Sequence, residues 1–147
     1  MKKLPVLLCI FLLSACAPSE VPSDKLLERN GIKYEINSQT PFAGVATEYW
    51  ENGQLAYKDT YKGGRRNGPS ERYYENGQLR WKLAYKDEKQ HGPNERYYEN
   101  GQLMATFTNK DGRLHGLWEG YYENGQEKDG SPVCYKTDEK VDISKCK

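Results

Sequence analysis

Histidine, cysteine and apolar residues are all scarce in this chain, and each shortage removes a class of reading. The 147 residues include two histidines, four cysteines and three phenylalanines, and only 36% are hydrophobic. So little apolar material excludes a thick core and favours a thin array of repeated units. No Cys-x-x-Cys and no zinc-type spacing of Cys and His occurs. No nucleophile stands with a histidine in a recognisable motif. Gly63-Gly64-Arg65-Arg66-Asn67-Gly68 lacks the Gly-Lys-Ser/Thr ending of a phosphate loop. The expectation is therefore no enzyme, no cofactor and no metal. Charge of one sign is lacking too: taking Lys2 and Lys3 from 22 basic residues leaves 20 against 21 acidic ones, so nucleic acid is not an expected partner. The apolar run from Leu4 to Leu13 has ten residues, short of the ~20 that a spanning helix needs.

Tyrosine and regular spacing are abundant instead. Aromatics make up 12%, twelve of them tyrosine, where a disordered chain would be poor in them. Tyr73-Tyr74-Glu75-Asn76-Gly77-Gln78-Leu79 recurs unchanged at Tyr97 to Leu103. Near-copies start at Tyr49 and Tyr121. The four starts are 24 residues apart, and Gly44, Gly68, Gly92 and Gly116 keep the same step. A fixed period of this length marks a repeat architecture.

Each unit reads as strand, tight turn, strand, looser turn. The Asn-Gly pairs Asn52-Gly53, Asn76-Gly77, Asn100-Gly101 and Asn124-Gly125 predict type I′ turns, in which both central residues take φ > 0. Asn30-Gly31 predicts a first, divergent hairpin. Pairing outward from Asn76-Gly77 sets Tyr74 against Leu79, Tyr73 against Arg80, Arg72 against Trp81, Glu71 against Lys82 and Gly68 against Tyr85. One face then collects Tyr74, Leu79, Trp81, Leu83 and Tyr85, and the other Tyr73, Arg80, Glu71 and Lys82. Gly68 is expected to leave room for the Tyr85 ring, and Gly44 for that of Tyr61. The fold class is all-β: an elongated antiparallel meander of hairpin repeats forming a single-layer open sheet of about nine or ten strands.

Met1-Lys2-Lys3 and the apolar run read as a signal peptide over residues 1–15. Leu13-Ser14-Ala15-Cys16 resembles the lipobox of bacterial lipoproteins. That resemblance implies cleavage before Cys16 and its lipidation. Two or more acyl chains anchor stably where one binds only marginally. Ala17, where Asp would signal inner-membrane retention, implies the outer membrane, lipid-anchored on the periplasmic side. Residues 16–25, rich in Pro and Ser, read as a lipidated tether. Residues 26–130 hold the hairpin repeats, and 131–147 a C-terminal hairpin or cap. Setting aside Cys9 and Cys16, Cys134 and Cys146 remain, and an even remainder in an exported chain suggests a disulfide, with free thiols or a redox pair as the alternative.

The repeat unit itself, Tyr-Tyr-Glu-Asn-Gly-Gln-Leu with a polar turn and Gly, resembles the MORN repeat variant. Together with Pro41-Phe42-Ala43-Gly44 it is similar to bacterial YwqK-family antitoxins. The resemblance implies a hairpin repeat fold and, more narrowly, neutralisation of a partner toxin.

Residues that recur in every unit are scaffold before they are chemistry. His91 and His115 fall where Asn67 sits in a sister unit and read as turn residues. Glu51, Glu75, Glu99 and Glu123 read as solvated turn residues, with an acidic ladder for a basic partner or weak divalent cations as the sharper alternative. Tyr49, Tyr73, Tyr97 and Tyr121 fall on the face opposite Trp50, Tyr74, Tyr98 and Tyr122. A single layer cannot bury both files; the first is either packed under neighbouring Arg and Lys stems or exposed, and if exposed it is the candidate partner-binding face. The expected function is a non-catalytic envelope lipoprotein that binds or scaffolds an envelope protein; the alternative is an antitoxin or immunity-type protein against a partner toxin.

Overall fold

The structure, a computed structural model, describes residues 19–146. The signal peptide at 1–15 and the lipidation site Cys16 lie outside the described residues. The strands are β1 (Glu20–Pro22), β2 (Leu26–Arg29), β3 (Ile32–Glu35), β4 (Gly44–Tyr49), β5 (Leu55–Lys62), β6 (Arg65–Tyr73), β7 (Leu79–Lys86), β8 (Lys89–Gln90), β9 (Gly92–Tyr97), β10 (Leu103–Lys110), β11 (Arg113–Gly120), β12 (Val133–Lys136) and β13 (Glu139–Val141). An 11-stranded sheet runs in the order β1-β4-β5-β6-β7-β9-β10-β11-β12-β13, with β8 beside β7. From β4 onward the order follows the chain and the pairing is antiparallel, as an open meander requires.

Three features depart from the simple meander. Within the stretch read as a tether, Glu20–Pro22 pairs parallel with β4, Val21 lying opposite Ala46. The Asn30-Gly31 hairpin forms, but as a separate two-stranded sheet. It leans on the Gly63-Gly64 turn: Lys33 N–H donates to the Gly64 carbonyl at 2.9 Å, and Gly64 N–H to the Phe42 carbonyl at 2.7 Å. In the fourth unit the returning strand breaks after Glu127 and resumes as β12, so the C-terminal hairpin becomes the far end of the sheet. Cys134 and Cys146 are joined by a disulfide, with Cα atoms 5.8 Å apart.

The Asn30-Gly31 turn has type I′ geometry, with φ of 51° and 75°, but the four repeat turns do not. The repeated Asn-Gly turns are three-residue loops: Gly77 N–H donates to the Tyr74 carbonyl and Tyr74 N–H to that of Gln78, both at 2.9 Å. Gly77 sits at φ 84°, but Asn76 does not have positive φ. This is a type I turn closed by a glycine bulge. Within the repeats the type I′ geometry belongs to the two-residue links instead, with φ of 57° and 73° at Gly63-Gly64 and 48° and 68° at Asp87-Glu88. Glu88 is held in that conformation by Arg66, whose Nε donates to Glu88 Oε2 at 2.8 Å.

The glycine bulge adds a residue and alters the facing pairs. Arg72↔Trp81, Glu71↔Lys82 and Gly68↔Tyr85 stand as expected, but Tyr73 meets Leu79, and Arg80 is the extra residue. Leu79 therefore groups with the first tyrosine of its unit, not with Tyr74. The periodic glycines also have a different reason. A Cβ on Gly68 would meet Thr60 Cγ2 at 3.1 Å, not the Tyr85 ring, and Gly68 takes φ 122°. Gly92 and Gly116 repeat this opposite Ala84 and Thr108, and the β5–β6 and β10–β11 registers shift there. Each unit thus carries a second bulge, which strengthens the strand twist.

The interior is thin. Its buried apolar side chains, Phe42, Val45, Ala46, Ala105 and Cys134, are matched by Thr47, Asp59, Ser70, Asn94 and Asn109, of which Ser70 and Asn94 are the most deeply buried. Buried polar groups of that weight must be hydrogen-bonded to be tolerated, so side-chain networks, more than apolar area, hold neighbouring units together.

Candidate functional site

Along one margin the tight turns are stacked by asparagine. Asn52 Nδ2 donates to the Glu75 carbonyl at 2.7 Å, and Asn76 Nδ2 to the Glu99 carbonyl at 3.1 Å. Each asparagine also accepts from the backbone two residues on, as Gln54 N–H to Asn52 Oδ1 at 2.9 Å. Asn100 and Asn124 accept alike from Gln102 and Gln126. Asn is present for its side chain, which satisfies backbone groups in two units at once. The glycines Gly53, Gly77, Gly101 and Gly125 all have positive φ, and a Cβ on Gly77 would collide with the Gln54 amide. The side chains of Glu51, Glu75, Glu99 and Glu123 project from this margin exposed.

The two tyrosine files do different work. In the second file, Tyr74 OH donates to the Tyr97 carbonyl and Tyr98 OH to that of Tyr121, both at 2.9 Å, so each ring bolts its unit to the next. In the first file, Tyr73 OH donates to Glu71 at 2.7 Å, Tyr97 OH to Glu95 at 2.8 Å and Tyr121 OH to Glu119 at 3.4 Å. Burial pushes the Tyr73 and Tyr97 phenols up to about 12, and the adjacent carboxylates add to it by hydrogen bond and charge. Tyr49 has no such glutamate, because Thr47 stands two residues before it, and it is 56% exposed. The same face carries a row of cross-strand neighbours, Lys58, Glu71, Lys82 and Glu95, alternating in sign. His91 Nδ1 lies 3.2 Å from Asp111 Oδ1, the place where Asn67 Nδ2 donates to Asp87 Oδ1 in the preceding unit. That equivalence makes it a contact between neighbouring turns. Among the described residues, no group of three or more His, Cys, Asp or Glu is placed to hold a metal ion.

The opposite face holds residues that sequence reasoning passed over. Tyr57, Arg72, Trp81, Arg96 and Ala105 form one row across five strands. The Arg72 guanidinium lies over the Tyr57 ring and that of Arg96 over Trp81, each 4.7 Å from the ring centre. Trp81 meets Phe107 edge-on at 6.4 Å. A groove of about 450 Å³ opens beside this row, lined among others by Trp81, Arg96, Phe107, Asn109, Trp118 and Lys128. The usable signal was the 24-residue recurrence of Arg72 at Arg96, which the sequence shows; the stacking of each on an aromatic ring of the neighbouring strand is what the structure adds.

Four segments, residues 43–62, 66–87, 90–108 and 114–126, match the sequence profile of the MORN repeat variant. The chain belongs to this family. Each MORN-variant segment holds one tight turn, and the fourth ends at Gln126, just before the returning strand breaks. The N-terminal hairpin, β12 and β13 lie outside the MORN-variant segments and flank them. A search of the curated proteins returns no match.

Proposed function

We propose that this MORN-variant chain is a non-catalytic protein-binding module of the cell envelope, anchored to the outer membrane on the periplasmic side by lipid on Cys16, with an envelope protein as its partner. Repeats of this family commonly serve as protein- or membrane-binding modules. The observation that carries the reading is the first tyrosine file. Tyr73, Tyr97 and Tyr121 are presented at a fixed repeat, each hydroxyl tied to the glutamate two residues before it, and Tyr49 extends the file exposed. Rings ordered before contact lose less entropy on binding. The alternating Lys and Glu row beside them orients a partner by charge.

The test is a crosslinking pull-down from envelope membranes, comparing the natural chain with a Tyr49→Ala, Tyr97→Ala double variant. A partner captured by the first and lost with the second supports the reading. Undiminished capture by a variant with an unchanged circular dichroism spectrum removes the tyrosine face. Capture of an exported toxin shifts the function to neutralisation. For the anchor, Cys16→Ser is expected to leave the precursor without lipid, and acylation that persists refutes the lipobox.

A further inference from the structure

One unit lacks a carboxylate that its neighbour has. Arg72 is neutralised by Asp59, with Nη1 to Oδ1 at 2.7 Å and Nη2 to Oδ2 at 3.0 Å, and Ser70 Oγ donates to the same carboxylate at 2.6 Å. One period on, Arg96 takes the place of Arg72 and Trp81 that of Tyr57, with the same stacking distance. Leu83, however, stands where Asp59 does, and Asn94 where Ser70 does. Asn94 bonds locally, accepting from Ala84 N–H and donating to the Gly92 carbonyl, both at 3.1 Å. Arg96 Nε is buried and donates to nothing, and among the described residues no carboxylate lies within ion-pair distance of this guanidinium. A second buried group points the same way. Asn109 is only 6% exposed; its Nδ2 donates to Gln90 at 2.6 Å, while its Oδ1 accepts no hydrogen bond. Both residues line the groove of about 450 Å³, whose lining includes Lys128 but no carboxylate. Unpaired buried polar groups are costly, and a ligand that pairs them removes that cost.

We propose that this groove binds an extended peptide segment of a partner protein, whose Asp or Glu side chain neutralises Arg96 as Asp59 neutralises Arg72, but accepts from Nε and an Nη rather than from Nη1 and Nη2. Apolar side chains of the segment lie against Trp81, Phe107 and Trp118, and a backbone N–H donates to Asn109 Oδ1. Arg96 lies opposite Ala105, four positions before Asn109 on β10. That is about 13 Å of extended backbone, a span for several residues and beyond the reach of a small anion. The groove is on the face opposite the tyrosine file, and its test needs no envelope partner, so either reading can fail without the other.

The probe is the capped peptide acetyl-Leu-Asp-Leu-Leu-amide, titrated into the full chain and read by the fluorescence of Trp81 and Trp118. Saturable quenching is expected. Replacing Asp by Asn in the peptide should weaken it at least about tenfold, the loss of one charge-assisted contact. Leu83→Asp supplies the missing carboxylate from within the chain and should weaken the Asp peptide at least about tenfold, with the thermal midpoint confirming folding. Arg96→Gln should erase the preference for Asp over Asn. The proposal is overturned by any of several results: no quenching at millimolar peptide, equal binding of the Asp and Asn peptides, or binding undiminished in both variants. It also falls if 3-phenylpropionate binds as tightly, or if acetyl-Leu-Asn-Leu-Leu with a free C-terminus binds more tightly than the Asp peptide.

Discussion

Gly77 occupies φ 84°, and the Gln54 amide lies where its Cβ would stand. Gly77→Val is therefore expected to lose about 1–3 kcal/mol, the cost of a β-branched residue in the left-handed region, read as a lowered urea midpoint. Asn76→Gly separates the two turn types. In a type I′ turn it would be tolerated, but here it removes the bonds to the Glu99 carbonyl and from Gln78 N–H, and about 1–2 kcal/mol should go with them. The tyrosines carry a pH signature. Burial leads in pushing Tyr61, Tyr73 and Tyr97 up to about 12 from the ordinary 10.0. Between those values the unfolded chain releases protons that the folded chain keeps, so stability is unaffected by these groups below pH 10.0 and falls as pH rises through about 12. Urea midpoints across this range should show the fall, and it should be shallower for Tyr73→Phe combined with Tyr97→Phe.

At the scale of the strands, the far end of the sheet depends on a covalent tie. β13 pairs only with β12, and the closing 3₁₀ turn Ile143–Cys146 is held through Cys146 to the buried Cys134. Mass spectrometry of the unreduced protein should find the two cysteines in one linked peptide. Reduction is expected to cost about 3 kcal/mol on the chain-entropy account. It should raise hydrogen exchange across residues 133–141 while β6 and β7 keep their protection, because they share no contact with this end; loss of protection throughout would contradict that. At the other end β1 covers the outer side of β4 over three residues, and both ends are thereby guarded against edge-to-edge pairing.

For the molecule as a whole, stability is a sum over units and the contacts between neighbours. The hydrogen bonds from Asn52 and Asn76 Nδ2, from the Tyr74 and Tyr98 hydroxyls and from the Gly64 and Glu88 link turns run between neighbouring units. Deleting residues 75–98 joins Tyr74 to Glu99 and restores the same repeated stretch. The shortened chain is expected to fold without β7, β8 and β9, keeping a strand-type circular dichroism spectrum and a cooperative melt at lower temperature. Failure to fold would mean that the units are not interchangeable.

Much of this was legible in the chain before any coordinates. A period of 24 with Asn-Gly in every unit was enough to imply hairpins, their order and an open all-β sheet, because local turn chemistry and alternation act over only a few residues. The turn type was not legible, since Gly at positive φ suits both a type I′ turn and a glycine bulge. Contact between stacked turns, through Asn52, Asn76 and Asn100, belongs to the three-dimensional arrangement. The glycine bulge shifts the pairing by one residue beside the turn and the extra Arg80 restores it, so Leu79 moved to the side of Tyr73 while Arg72 still faces Trp81. The pairing of Arg72 with Asp59, across a different pair of strands, came into view only in space. The groove follows from the same cause: an arginine without its carboxylate is an ordinary letter in the sequence, and becomes a site only where the register sets it beside Trp81 and along one strand from Asn109.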